Sequence, residues 1–319
     1  MNIRSFLIIF AMSSLLQSEE SFGIVVHGGA GVMSGLSEER QQEIHKKIQE
    51  TVSEAYEILE KGGSSLDAVE VAVSMLEDSP LFNAGRGSVY NSDEVQEMDA
   101  SIMDGKNRLS GAVASVTTVK NPIKLARKVA EETKHVLLTG EGAERFARDI
   151  GVDIVERNYF YHEERLKRLR NSKRKISKLN ENSDKIGTVG AVALDKNGNI
   201  SAATSTGGMT NKMPGRVGDS PIIGSGTWAQ NGVCGVSSTG HGEYFIKYQV
   251  AREVCVRIEY LNQNLSDSAE SIINELNNLE ASGGLISIDH KGNISTPFNT
   301  KGMIRGSQTN KTDLVSKIY

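Results

Sequence analysis

Apolar and polar positions divide this chain into short, readable segments. The run Gly23-Ile-Val-Val-His27 reads as a buried strand leading into a glycine turn, Gly28-Gly-Ala-Gly31. From 37 to 59, apolar residues recur at helical spacing among charges, and Gly62-Gly63 supplies the stop. Ser64-Ser-Leu-Asp67 opens a second helix as a capping box, and that helix turns Ala68, Val69, Ala72, Val73 and Leu76 toward a core. Residues 98–103 and 111–119 read as strands, and 122–132 and 140–150 as helices. Two further strands, 188–195 and 200–206, flank Asn197-Gly198, a hairpin signal. A strand at 233–238, helices at 243–261 and 266–279, and a hairpin pairing 284–289 with 294–298 complete the pattern. No 20–50-residue repeat is visible. Strands grouped with strands, and helices with helices, favour two sheets covered by helices, an α+β arrangement.

Three stretches depart from this patterning. Residues 156–185 are dense in Lys and Arg with few large apolar side chains, which reads as a solvent-exposed or disordered linker. Residues 205–228 hold too much glycine and proline for a helix or regular strand, and read as a long loop with fixed geometry. At the N-terminus, Arg4 precedes an apolar run of about eight residues that resembles a short signal peptide and is far too short to cross a membrane. Removal of residues 1–22 makes the mature protein secreted or periplasmic; an uncleaved extension leaves it cytoplasmic.

Composition narrows the classes. A chain of 319 residues can bury a substantial core in one large domain or two small ones. Its 38% hydrophobic and 24% charged residues are ordinary for a soluble globular protein. A net charge of −4, and no aromatic platform beside the basic stretch, argue against a nucleic-acid partner. Cys234 and Cys255 sit in apolar contexts and read as buried small hydrophobes rather than a disulfide or a reactive thiol. The six histidines are scattered without metal-ligand spacing, so no catalytic metal is expected. Gly29-Ala-Gly31 lacks the third glycine of a dinucleotide fingerprint, and no phosphate-loop motif occurs.

The chemistry gathers around Thr188, in Ile186-Gly-Thr-Val-Gly190, where a small-residue strand begins directly after the charged stretch. Taken alone, it is an ordinary strand threonine. A cut before it would create an N-terminal threonine that carries a nucleophilic hydroxyl and a base, the α-amine, on one residue. The α-amine has an ordinary pKa of about 8, against about 10.4 for lysine. Within the glycine-rich loop, Arg216 and Asp219 stand three apart. An arginine fork can clamp a carboxylate and a carboxylate can receive an ammonium, so the pair fits one amino acid's α-groups; a surface ion pair is the alternative. Thr239-Gly-His-Gly242 ends a strand in a turn whose N–H groups suit an oxyanion hole, and the same turn suits the start of a helix at Glu243.

Taken in order, these motifs resemble the plant-type L-asparaginase / isoaspartyl aminopeptidase family of N-terminal-nucleophile hydrolases. They are His27-Gly-Gly-Ala-Gly31, Leu76-Glu-Asp-Ser-Pro-Leu-Phe-Asn-Ala-Gly-Arg-Gly-Ser88, Met98-Asp-Ala-Ser-Ile-Met-Asp-Gly105 and Asn121-Pro-Ile-Lys-Leu-Ala-Arg127. Gly187-Thr-Val-Gly-Ala-Val-Ala-Leu-Asp195, Ser205-Thr-Gly-Gly208, Gly215-Arg-Val-Gly-Asp-Ser-Pro221, Ser238-Thr-Gly-His-Gly-Glu243 and Pro297-Phe-Asn-Thr300 continue them. The resemblance spans residues 23–305 and implies a four-layer αββα sandwich. It also implies self-cleavage between Gly187 and Thr188, into an α subunit of 23–187 and a β subunit of 188–319 that remain one folded domain. A homodimer of such cleaved αβ protomers, formally a heterotetramer, is implied as well. By the same resemblance Thr188 is nucleophile and base, with Thr206 a supporting hydroxyl and Asn83 approaching from the α subunit. Arg216 and Asp219 bind the substrate's α-carboxylate and α-amine, with Gly240 and Gly242 beside them, and Thr239 and Gly240 form the oxyanion hole. No cofactor serves catalysis. A structural sodium ion is implied, held by backbone carbonyls at Leu76, Glu77, Ser79, Phe82, Ala84 and Arg86. The implied activity is threonine-type amidohydrolysis of β-aspartyl dipeptides and of L-asparagine. Glycosylasparaginase, which shares the nucleophile logic, is the nearest alternative.

Overall fold

The computed structural model describes residues 20–31, 33, 35–175 and 187–319, so nearly all of the expected leader lies outside the described residues. The first half runs β1 (Gly23–Gly31), α1 (Glu38–Glu60), α2 (Ser65–Glu77), β2 (Met98–Asp104), β3 (Ser110–Val116), α3 (Pro122–Glu132), β4 (Leu137–Thr139), α4 (Gly140–Asp149) and α5 (Glu163–Lys175). The second runs β5 (Val189–Leu194), β6 (Ile200–Thr206), β7 (Thr227–Gln230), β8 (Cys234–Gly240), α6 (Gly242–Tyr248), α7 (Val250–Leu261), α8 (Leu265–Asn278), β9 (Gly283–Asp289), β10 (Ile294–Ser295), β11 (Gly302–Thr309) and β12 (Thr312–Lys317).

The strands form an eight-stranded sheet, β12-β11-β1-β5-β6-β2-β3-β4, and a four-stranded sheet, β10-β9-β8-β7. α1, α2 and α3 pack on the outer face of the large sheet, and α7 and α8 on the outer face of the small one. The inner faces pack on each other, giving the αββα sandwich. Side-chain alternation explains the layering. On β1, Ile24 and Val26 enter the core beneath the helices, while Val25 enters the core between the sheets. On β5, Val189, Ala191 and Ala193 face the helices, and Val192 and Leu194 face the second sheet. β1 is flanked by β5 and β11, so strands from before and after Thr188 share one sheet.

Local signals behave as expected where they are strong. Ser37 and Ser64 cap α1 and α2 by accepting from the N–H groups of Arg40 and Asp67. Asn197-Gly198 closes the β5–β6 hairpin, with Gly198 at φ +76°.

Four expectations need correction. The charged stretch is not a plain linker over its described part, because α5 occupies 163–175 and packs inward through Arg165 and Leu169. Phe160 just ahead of it is also buried, and its carbonyl accepts from Gln96 Nε2 at 2.7 Å. A few well-placed apolar side chains outweigh the mean polarity of that stretch. The helix at 243–261 is two helices, broken where Gln249 adopts φ +49°. A C-terminal hairpin, β11–β12, extends the large sheet past the last predicted strand. Finally, Cys234 and Cys255 form a disulfide, with Cα atoms 5.6 Å apart. Both are fully buried, so the apolar contexts were read correctly, but β8 and α7 bring them face to face.

Candidate active site

Antiparallel pairing of Val189 with Ser205 sets Thr188 beside Thr206, on the face of the large sheet that looks toward the small one. Thr188 Oγ1 donates to Thr206 Oγ1 at 3.1 Å. Thr206 Oγ1 also accepts from the Gly208 N–H at 3.0 Å, so two donors converge on one hydroxyl oxygen. Both threonines are buried.

The peptide entering Thr188 is gripped by glycine. Gly29 sits at φ +105°, beside a register shift in the β1–β11 pairing, and a Cβ there would stand 2.5 Å from Gly187 N. A Cβ on Gly187 would stand 2.5 Å from Thr239 Oγ1 and 3.1 Å from Ala30 O. Thr239 Oγ1 in turn accepts from the Ala30 N–H at 3.3 Å. The turn after His27 and the end of β8 thus close around the Gly187–Thr188 bond.

Arg216 and Asp219 come together, although not as an isolated surface pair. Asp219 is buried, and burial pushes its carboxyl up to about 7 against the opposing charge of Arg216. Arg216 donates through Nε and Nη2 to Glu243 Oε1 at 3.0 and 2.9 Å. Partial burial alone would raise the Glu243 pKa, but Arg216 overrides it and holds the carboxyl below its usual range. Gly242 makes the approach possible, since a Cβ there would stand 2.8 Å from Arg216 Nη2 and 3.0 Å from Asp219 Oδ1. A cavity of about 70 Å³ joins these parts, lined by Asn83, Thr188, Thr206, Arg216, Asp219 and Gly240. A larger cleft of about 440 Å³ lies over α3, where Arg127 is held by Asp67, Glu70 and Glu131; it lies away from Thr188 and its walls carry no hydroxyl or thiol side chain.

Asn83 lines the cavity, but both ends of its amide serve the backbone: Nδ2 donates to Gly208 O at 2.7 Å and Oδ1 accepts from Val89 N at 3.0 Å. Its side chain therefore holds the turn after Thr206. The residues of the expected sodium loop lie together where α2 ends, with Leu76, Glu77, Ser79, Phe82 and Ala84 buried and Arg86 exposed. The loop is drawn tight: a Cβ on Gly85 would stand 2.2 Å from Glu77 O, and one on Gly87 would stand 1.8 Å from Phe82 O. These crowded carbonyls are hard oxygen donors of the kind an alkali ion takes, so the residues present fit the implied ion. The Glu77 side chain does something else: Oε1 accepts from Ser205 Oγ at 2.6 Å and from Ile123 N at 3.1 Å, tying the loop to β6 beside Thr206.

Sequence reasoning missed two contributors. Glu243 was read only as a helix start, and nothing local marks it as the partner of an arginine 27 residues earlier. His27 was read only as the end of a buried strand and the first residue of a matching motif. It is fully buried on β1, its Nε2 lies 3.0 Å from Ser237 Oγ, and burial pushes its pKa down to about 3 against a raising contact with the Thr188 backbone. Strand alternation could have placed His27 on the inner face, but not opposite Ser237.

Comparison with known proteins agrees with this geometry. A family described as asparaginase matches residues 20–316. The chain is 45% identical over 292 residues to the isoaspartyl peptidase of Escherichia coli (strain K12), covering 88% of this chain and 91% of that one. It is 46% identical over 287 residues to the isoaspartyl peptidase/L-asparaginase of Mus musculus, covering 89% and 86%. It is 43% identical over 283 residues to the protein of the same name in Danio rerio, covering 88% and 90%. With a buried threonine gripped behind a glycine and an Arg–Asp pair in the same cavity, the chain belongs to the asparaginase family of N-terminal-nucleophile hydrolases.

Proposed function

We propose that this protein is a self-cleaving threonine amidohydrolase that releases N-terminal isoaspartyl residues from β-aspartyl dipeptides and deamidates L-asparagine. The observation that carries this reading is the shared cavity of Thr188, Thr206, Arg216 and Asp219. Cleavage between Gly187 and Thr188 frees the threonine's α-amine and releases Gly187 from between Gly29 and Thr239, which enlarges the cavity. The names of the relatives favour this reading over glycosylasparaginase.

Asp219 receives the substrate ammonium, and Arg216 turns from Glu243 to the substrate α-carboxylate. Peptides whose isoaspartyl residue is internal keep the α-carboxylate but hold the α-amine in a peptide bond, so they offer Asp219 no ammonium and are not substrates. Thr188 Oγ attacks the side-chain carbonyl carbon while its proton passes to the Thr188 α-amine. Charge develops on the carbonyl oxygen beside Thr239 and Gly240, where one preorganised donor contributes about 3 kcal/mol. Collapse expels ammonia or the peptide amine with that proton. Water then hydrolyses the β-aspartyl ester, with the same amine as base. A sodium ion at the 76–87 loop would hold that turn, and through the Glu77–Ser205 contact the end of β6, in place; it takes no part in bond breaking. The cleaved protomers pair as a homodimer. The buried disulfide supports export to an oxidising compartment.

Intact mass measurement tests the proposal. The wild-type protein should resolve into two fragments joined at Gly187/Thr188, and Thr188→Ala should stay whole and inactive toward β-aspartyl-leucine, asparagine and glycosylated asparagine. Activity in an uncut wild-type chain would refute it.

A further inference from the structure

Self-cleavage needs a base other than the one that serves the finished enzyme. Before the cut, the Thr188 nitrogen belongs to the Gly187–Thr188 peptide bond, where resonance occupies its lone pair, so it cannot take the hydroxyl proton. Thr188 Oγ1 donates to Thr206 Oγ1, which also accepts from the Gly208 N–H. Two incoming donors fill both lone pairs of that oxygen, and the proton of Thr206 itself must point away from them.

Across the sheet, the neighbour of Thr206 is Asp99. The β2–β6 register pairs them directly, so their side chains leave the same face, with Cβ atoms about 4.5–5.5 Å apart at such pairs. The next pair on that face, Ser101 and Thr204, behaves this way, since both hydroxyls meet at Thr227 Oγ1. Asp99 is fully buried. Its Oδ1 accepts from the Ser115 N–H at 2.8 Å, while Oδ2 has no hydrogen-bond partner among the described residues. A buried carboxylate oxygen without a donor carries a desolvation cost that no contact in the fold offsets. The charged groups acting on Asp99 are Lys212, Arg216, Glu97 and Asp219. Burial raises its pKa, and the two cations favour its ionised form. Lys212 is itself buried and donates to Glu97 O at 2.9 Å. Its Nζ lies 3.0 Å from where a Cβ on Gly208 would stand, so a cation and a basic carboxylate flank the same threonine.

We propose that Asp99 is the proton acceptor of self-cleavage, acting on Thr188 through the Thr206 hydroxyl. The inference rests on the reading of Thr188 as nucleophile given above. Thr188 Oγ attacks the Gly187 carbonyl carbon while its proton passes to Thr206 Oγ1 and the Thr206 proton passes to Asp99 Oδ2. The C–N bond then breaks, and the proton returns through Thr206 to the departing Thr188 nitrogen. An ester between Gly187 and Thr188 Oγ remains, and water hydrolyses it to the Gly187 carboxylate and a free N-terminal threonine. No direct hydrogen bond joins Asp99 to Thr206 in the structure. Rotation of the carboxyl, or one intervening water, spans the gap, and both lie within the reach of a general base. Once the α-amine is free it takes over, so one nucleophile is served by two bases in succession.

The test is the rate at which full-length chains, made by cell-free translation, convert to two fragments on a gel. Asp99→Asn keeps the shape and the acceptor for the Ser115 N–H but loses the base, so cleavage should slow about a hundredfold. Asp219→Asn removes a carboxylate from the same cluster without standing opposite Thr206, and should cleave at least tenfold faster than Asp99→Asn. From acid to neutral pH the wild-type rate should rise as Asp99 loses its proton. That rise should persist in Asp219→Asn and be absent from Asp99→Asn. Wild-type cleavage by Asp99→Asn, or equal slowing in the two variants, would overturn the proposal. If Asp99→Asn shows no cooperative melting, Thr206→Val replaces it: it should be as slow, Thr206→Ser should recover most of the rate, and a Thr206→Val chain that cuts normally contradicts the path. A wild-type chain that never cuts itself, or a Thr188→Ala chain that does, would instead sink the reading of Thr188 on which this rests.

Discussion

Asp219 carries an opposition between stability and binding that can be measured on one substitution, Asp219→Asn. An aspartate ordinarily titrates near 3.8, and burial raises this one to about 7. In the unfolded chain it ionises near 3.8, whereas the folded protein keeps its proton for about three more pH units. Across that window the folded state binds the extra proton, so stability falls as pH rises from about 4 to 7, and the full penalty applies above 7. At 1.36 kcal/mol per unit, the ionised side chain costs ~4 kcal/mol at pH 8. Asparagine has the same shape without the charge. Asp219→Asn should therefore match the wild type at pH 4 and melt about 10 °C higher at pH 8, taking roughly 2–4 °C per kcal/mol. The same change removes the charge proposed to receive the substrate ammonium. Breaking a buried pair costs about 3–5 kcal/mol, so kcat/KM for β-aspartyl-leucine should drop roughly 10²–10⁴-fold. Calorimetry on cleaved protein at both pH values and steady-state kinetics at pH 8 provide the assay. Equal melting temperatures at pH 8 would refute the burial argument, and an unchanged kcat/KM would refute Asp219 as the ammonium receptor.

Arg216→Lys keeps the charge but loses the fork that now spans Glu243 Oε1, so KM for asparagine should rise about tenfold with a smaller change in kcat, measured by ammonia release. Replacing Cys234 and Cys255 together by alanine opens a cross-link of sequence separation 21, which should cost about 3 kcal/mol of stability; the melting temperature should fall while kcat at 25 °C stays the same. Gly87→Ala would push a Cβ to 1.8 Å from the Phe82 carbonyl, a backbone atom that cannot move aside, so its melting temperature should fall by several degrees. That variant should also lose any rise in melting temperature that sodium gives the wild type, as read by a salt titration against choline chloride.

Much of the fold was legible because its signals are local. Ser37 and Ser64 begin helices where a hydroxyl can reach an N–H three residues on, and Asn197-Gly198 turns a chain flanked by alternating small residues. The misreadings arose where a distant partner decided the outcome. α5 holds few apolar side chains, but Arg165 and Leu169 find cover, which average polarity does not reveal. Gln249 breaks the helix after the 239–242 turn while its side chain reaches Ser225 Oγ at 2.9 Å, a contact 24 residues back in the chain. Cys234 and Cys255 read as small hydrophobes until β8 and α7 brought them together.

The candidate site divides the same way. The order of the motifs alone pointed to Thr188 as the nucleophile, to Gly187 as the preceding residue, and to Arg216 and Asp219 as the substrate-reading pair. These residue types carry the chemistry themselves: a hydroxyl beside a future amine, a fork for a carboxylate, a carboxylate for an ammonium. Tertiary structure alone decided that Glu243 holds Arg216, that Asn83 serves a turn, and that His27 meets Ser237. It also raised the Asp219 pKa, because desolvation depends on which distant segments exclude water from a side chain. Local chemistry is written residue by residue, whereas burial and hydrogen-bond partners belong to groups that meet only after the two sheets close on each other.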